Sequence, residues 1–241
     1  DDIAGLQYTG GTTGVAKGAS LTHANLLANT DQMLQRILQR GNEGEEIFVC
    51  PLPLYHIYAF TVNMLTFFGM GSMNLLIPNP RDIDGFVKMI APFRFTGIAG
   101  LNTLFVGLCR HPEFKKLDFS ALKMTFSGGT ALTSSAAELW HQVTGCPVTE
   151  GWGLSETSPV ICLNAFGREE IGTVGPVLAS TEVQVWDEDG NALPQGESGE
   201  LVVRGPQVMQ GYWNRPEETA KAIQNGFFRT GDVGLIQDNG N

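Results

Sequence analysis

Between residues 22 and 149, short apolar runs alternate with helix-spaced stripes, and this alternation constrains the fold more than any other feature of the chain. Residues 47–52, 72–77, 95–99, 124–127 and 147–149 read as strands, with helices at 82–91, 101–110 and 133–143. Strands joined through helices need crossover connections, which implies a mostly parallel sheet with helices on both faces. In such α/β sheets, ligands bind beyond the carboxyl ends of the strands. The segments 8–18, 127–131 and 150–156 each follow a predicted strand and are expected to line one crevice.

The flanks fit this scheme. Thr22 reads as the N-cap of a helix whose stripe is Leu26, Leu27, Met33, Leu34, Ile37 and Leu38, with Gly41 as its stop. Residues 57–80 carry no formal charge, which raises a transmembrane helix as an alternative. Asn63, Gly69, Gly71, Ser72 and Asn74 interrupt that run, so a buried helix opening at 54–60 and a separate strand are expected instead. After residue 170, Val183 to Trp186 alternates, Asp189-Gly190-Asn191 forms a turn and Leu201 to Arg204 reads as a strand. This is the texture of a small antiparallel, barrel-like β unit. The expected division is an α/β region at 1–170 and a smaller β-rich subdomain, itself truncated, at 171–241.

Tyr8-Thr9-Gly10-Gly11-Thr12-Thr13-Gly14-Val15-Ala16-Lys17-Gly18 holds four glycines, three threonines and one lysine, and reads as a loop between a strand and the helix at Thr22. Glycine lets backbone N–H groups approach a ligand, threonine adds hydroxyls and lysine adds a mobile charge, a set suited to a polyphosphate. A Walker A loop is excluded, because Ala16 stands where glycine is needed and Gly18 where a hydroxyl is needed. On composition alone the stretch is equally a glycine-rich turn.

The formal net charge is -10 and basic residues form no block, so nucleic acid is not an expected partner. An anionic ligand then needs a local answer, such as Lys17, a helix N-terminus or bound Mg2+. Cys50, Cys109, Cys146 and Cys162 lie far apart beside apolar residues, which points to buried free thiols in a reducing compartment. The chain opens on Asp1-Asp2 and closes on Asn239-Gly240-Asn241, a hairpin-like turn without its return strand, so a piece of a longer protein is expected.

Four motifs then carry a resemblance. They are the 8–18 loop, Gly151-Trp152-Gly153-Leu154-Ser155-Glu156-Thr157, the stretch from Gly199-Glu200-Leu201 to Gly211-Tyr212-Trp213, and Thr230-Gly231-Asp232. In this order the chain resembles the AMP-forming acyl-CoA synthetase superfamily, most of all its bacterial long-chain fatty acid–CoA ligases. The resemblance implies ATP-dependent formation of an acyl-adenylate with release of pyrophosphate, then thioester formation with coenzyme A. ATP, a fatty acid and coenzyme A would be substrates and Mg2+ the cofactor.

The resemblance also implies roles. Thr9, Gly10, Gly11, Thr12, Thr13, Gly14 and Lys17 would hold the β- and γ-phosphates, with Lys17 aiding the chemistry and Thr9 near the metal. Gly128, Gly129, Glu150, Gly151, Trp152 and Gly153 would surround the adenine, Trp152 presenting its ring face in place of the more usual Tyr. Ser155, where Thr is usual, would stand by the α-phosphate, Glu156 would carry Mg2+, and Asp232 would accept from the ribose hydroxyls. Tyr55 and His56 would face the carboxylate and the acyl entrance. Without the motifs, Trp152 is equally a core plug, His56 a satisfied core group and Asp232 a turn residue.

In the family a small C-terminal domain brings a catalytic lysine. This chain is expected to stop before that domain and to have little ligase activity alone. Another acyl- or aryl-activating adenylation enzyme uses the same motifs, and a non-catalytic nucleotide-binding module is the remaining alternative. A cytoplasmic location is expected, with peripheral contact at the inner membrane and a homodimer left open.

Overall fold

The computed structural model describes residues 2–9 and 16–241. In chain order its elements are β1 (Ile3–Thr9), β2 (Lys17–Thr22), α1 (His23–Ile37), β3 (Ile47–Cys50), α2 (Ile57–Ala59), a π-helix (Phe60–Phe67), β4 (Met73–Leu76), α3 (Ile83–Ile90), β5 (Gly97–Gly100), α4 (Asn102–Arg110), β6 (Met124–Ser127), α5 (Ser134–Thr144), β7 (Thr149–Gly153), β8 (Val160–Leu163), β9 (Glu182–Trp186), β10 (Gly199–Arg204), α6 (Pro216–Ala222), β11 (Ile223–Gln224) and β12 (Phe227–Gly234).

A six-stranded sheet runs in the order β4-β3-β5-β6-β7-β8. All its pairs are parallel except β7 with β8. Side chains alternate across it and so must be covered twice. Val49 and Ile98 join one core with residues of α3, α4 and α5, among them Phe86, Phe105 and Trp140. Phe48, Ala99, Met124 and Phe126 face the other way and pack with Met33 and Ile37 of α1 and Phe67 of the π-helix. The expected mostly parallel sheet with helices on both faces is therefore present. The antiparallel unit after residue 170 is the sheet β11-β12-β10-β9.

Two local features depart from the sequence reading. The glycine/threonine segment leads not into a helix but into β2, which pairs antiparallel with β1. Alternation in that strand is short, and only Ala19 and Leu21 mark its apolar side. Thr22 then caps α1 as expected, in a capping box with Asn25, whose amide is tied in turn to the carbonyls of Pro206 and Val208. The stripe of α1 also differs: Leu27 is 67% exposed, whereas Asn29 and Gln32 are buried. Asn29 both donates to the Val160 carbonyl at 2.8 Å and accepts from the Val160 amide at 3.0 Å, supplying the backbone partner that β8 lacks at the sheet edge. The uncharged run 57–80 is divided among α2, the π-helix and β4, a helical stretch and a separate strand as expected. Among the described residues no helix is long and apolar enough to cross a membrane.

Gly97 marks the tightest point between the strands and the second core. A Cβ there would lie 2.4 Å from the Phe48 ring, which is itself stacked on Phe67 with centroids 3.9 Å apart. Gly97→Ala should cost about 1–3 kcal/mol through overpacking. Gly5→Ala, with open space around the new methyl, should stay within about 0.5 kcal/mol of the parent in urea denaturation.

Candidate functional site

The carboxyl end of β6 lies level with the start of β7, with Ser127 opposite Glu150. Beyond them opens a cavity of ≈ 1060 Å³ whose wall includes Thr9, His56, residues 127–132, residues 150–156 and Asp232. Of the three segments expected to share a crevice, 127–131 and 150–156 line it throughout, and the first reaches it through Tyr8 and Thr9. Of the anticipated residues, Thr9, His56, Gly128, Gly129, Glu150, Gly151, Trp152, Gly153, Ser155, Glu156 and Asp232 line it. Gly10, Gly11, Thr12, Thr13 and Gly14 lie outside the described residues.

Trp152 and Asp232 form the bridge between the two sheets. The Trp152 indole N–H donates to Asp232 Oδ2 at 2.8 Å, joining the end of β7 to β12. Gly153 keeps β7 close to the returning chain, since a Cβ there would sit 1.9 Å from the Pro159 carbonyl oxygen. Asp232 is fixed from its own side: its amide donates to Thr230 Oγ1, which donates to the Leu201 carbonyl, and the Gly231 amide donates to Glu200. Glu200 also pairs with Arg229, whose Nε donates at 2.8 Å. One oxygen of Asp232 is thus spent on Trp152, and the exposed carboxylate presents the other to the cavity.

Glu150 is one of two buried acids of the site, 6% exposed. Its Oε1 accepts from the Leu132 amide at 2.8 Å, but its Oε2 is buried without a partner among the described residues, as is the Ser127 hydroxyl. Burial pushes this carboxyl above the ordinary 4.5, against the smaller opposing effect of the Leu132 hydrogen bond. Glu156, 7% exposed, instead accepts a hydrogen bond from the Tyr212 hydroxyl at 2.7 Å. Burial and the charge of Glu156 push the Tyr212 phenol up, so it remains a donor. His56 accepts the Tyr58 amide on Nδ1 at 3.2 Å, which leaves the proton of the neutral ring on Nε2.

Two anticipated residues stand away from the cavity wall. Tyr55 is 83% exposed, and only its carbonyl engages the site region, accepting from Gln7 at 3.3 Å. Lys17 pairs with Glu218 at 3.0 Å and lies 4.9 Å from the Tyr212 ring centroid. Among the described lining residues there is no Lys or Arg, while Glu150, Glu156 and Asp232 are all present. Sequence reasoning placed Ser127 in a crevice-lining segment but assigned no role to Tyr212 or Glu218. The apolar end of the cavity, with Met33, Tyr58, Val62, Phe126, Val160 and Leu163, was also not foreseen as one surface. The four cysteines are free and buried, as expected, and burial pushes Cys162 to about 12.

Comparison with known proteins agrees with this geometry. The family described as AMP-binding enzyme matches over residues 1–213. A long-chain-fatty-acid–CoA ligase of Escherichia coli O6:H1 is 47% identical over 241 residues, 100% of this chain and 43% of that protein. The chain thus spans less than half the length of this relative. ATP-bound MatB from Rhodopseudomonas palustris is similar with a TM-score of 0.88 at 32% identity, over 100% of this chain and 47% of that one. The inhibitor-bound N-terminal domain of FACL13 from Mycobacterium tuberculosis is similar at 28% identity with a TM-score of 0.89, over 100% of this chain and 59% of that one.

The raised carboxyl of Glu150 makes folding stability fall as pH rises from its ordinary value through its folded value, because the folded state keeps a proton that the unfolded chain releases. Glu150→Gln still accepts from Leu132 but does not titrate. Its denaturation midpoint should gain on the parent as pH is raised from about 4 to about 7. A gap that stays constant across this range would contradict the assignment.

Proposed function

We propose a function from one premise: the chain belongs to the AMP-binding enzyme family. The whole protein activates a long-chain fatty acid. The fatty carboxylate attacks the α-phosphorus of ATP and pyrophosphate leaves; the thiol of coenzyme A, giving up its proton, then takes the acyl group from the adenylate and AMP leaves. Such chemistry asks the protein for alignment and charge neutralisation more than for a nucleophile.

The observation that carries this reading is the Trp152–Asp232 contact, which sets an aromatic plane beside a carboxylate at the ends of the strands. A purine stacks on the Trp152 ring, and the free oxygen of Asp232 accepts from the ribose hydroxyls. Glu150, Gly128 and Gly129 border the base. Ser155 and the 9–17 segment flank the phosphates, and His56, with its Nε2 proton, faces the carboxylate. The apolar wall from Met33 to Leu163 supports a hydrocarbon chain as the acyl group. Tyr55 belongs to the outer entrance. Residues 1–170 form the nucleotide- and acyl-binding region, and residues 171–241 the smaller β-rich part.

The residues present fit Mg2+. With three carboxylates and no cationic side chain among the described lining residues, a polyphosphate needs a hard cation, and Mg2+ is held by one or two carboxylates plus phosphate oxygens. Glu156 would hold it, with Thr9 alongside. When bound, it would neutralise charge on the phosphates. Buried free thiols support a reducing compartment, the cytoplasm.

The test is ATP–pyrophosphate exchange by the full-length protein across a series of carboxylic acids. Long-chain fatty acids should stimulate exchange. Stimulation by aromatic acids alone would favour an aryl-activating enzyme, and no stimulation a nucleotide-binding module. Lys17→Ala should slow exchange at least about tenfold, as expected when a charge-assisted contact to phosphate is lost. An unchanged rate would remove Lys17 from the phosphate site.

A further inference from the structure

The residue that links the phosphate-side lysine to the metal-side carboxylate is one to which the sequence motifs assign no task. Tyr212 donates its hydroxyl to Glu156 Oε1 at 2.7 Å, and its ring lies 4.9 Å from Lys17 Nζ. Its own position is fixed by backbone on several sides. The Tyr212 amide donates to Thr219 Oγ1 at 2.9 Å, and its backbone bridges Ala19 of β2. Neighbouring bonds from the Ser20 amide to Gly211, from Gln210 to Ser20 and from Trp213 to Gly18 complete the seam. The Met209 amide closes it on the Glu156 carbonyl at 2.8 Å.

At the far end, Glu218 occupies Lys17 at 3.0 Å and receives a second, longer contact of 3.8 Å from Lys221. The Lys17–Glu218 pair is partly exposed on both sides, at 30% and 39%, and so is weak enough to exchange for another anion. Tyr212 stands in neither of these exchanges. It contacts the lysine by its ring face and the carboxylate by its hydroxyl, two separable interactions on one rigid side chain.

We propose that Tyr212 is a positioning residue that sets Glu156 through its hydroxyl and Lys17 through its ring, while Glu218 is the resident counter-anion that a phosphate displaces from Lys17. This rests on the proposed function. A hydroxyl donor to one carboxylate oxygen leaves the other oriented for a cation, and loss of a hydrogen bond to a charged group is a large perturbation. The ring face holds the ammonium by a weaker attraction. Glu218 keeps Lys17 neutralised until a more highly charged ligand arrives.

The experiment measures equilibrium ATP binding to the full-length protein, first with chelator and then as a function of Mg2+, with thermal melts to confirm folding. Tyr212→Phe keeps the ring and should raise the Mg2+ needed for half-saturation about tenfold, while leaving metal-free ATP binding within about twofold. Glu218→Gln should tighten metal-free ATP binding about two- to fivefold, a gain that shrinks with added salt. Restoring the charge with Glu218→Asp should reverse part of that gain. An unaltered Mg2+ dependence in Tyr212→Phe, equal shifts of both readouts in that variant, or unchanged or weaker ATP binding in Glu218→Gln would each overturn the inference. A parent protein that binds no Mg·ATP would instead overturn the proposed function, and this inference with it.

Discussion

A parallel sheet covered on both faces leaves only its strand ends free, and the rest of this molecule follows from that constraint. Phe48, Met124 and Phe126 are committed to the core under α1, and Val49 and Ile98 to the core under α3, α4 and α5. Every crossover returns on a face, so polar groups of a ligand meet the protein where β6 and β7 run out. β6 ends on Ser127, which pairs with Glu150 near the start of β7, and each has a buried oxygen without a partner among the described residues. Unpaired polar atoms at this depth are costly in a finished core and suit a surface completed by a ligand.

Around those strand ends, the site is assembled from parts far apart in the chain. The β1–β2 hairpin lies outside the six-stranded sheet and is sewn instead to residues 210–213. Asp232 arrives from the antiparallel sheet to meet Trp152. A chain of net charge -10 then faces a triply charged or more highly charged anion with one lysine near the site, already paired. On the proposed function, charge neutralisation by Lys17 and a metal would decide the binding of ATP more than the average field of the protein would.

Much of this was legible in the sequence because it depends on local pattern. Strand and helix alternation gave the parallel sheet, and the strand–loop rule gathered the cavity wall. What was not legible depends on long-range pairing. β8 follows Pro159 and returns antiparallel on β7 without a helical crossover, so the strand–helix alternation did not mark it. Trp152 and Asp232 read as loop residues because glycines surround them, yet both lie on strands. The burial of Asn29 in place of Leu27 is set by the Val160 backbone 131 residues away. Tyr212 and Glu156 are 56 residues apart, and nothing in either local sequence marks the contact.

Whether Trp152 and Asp232 together form a nucleoside site is decided by binding of a stable acyl-adenosine analogue with sulfamate in place of phosphate. Full-length parent, Trp152→Leu and Asp232→Asn would be titrated under one condition after circular dichroism confirms their fold. Loss of stacking or of a charge-assisted hydrogen bond should weaken binding at least about tenfold in each variant. Affinities equal to that of the parent in both variants would contradict the assignment of this cavity to the adenylate.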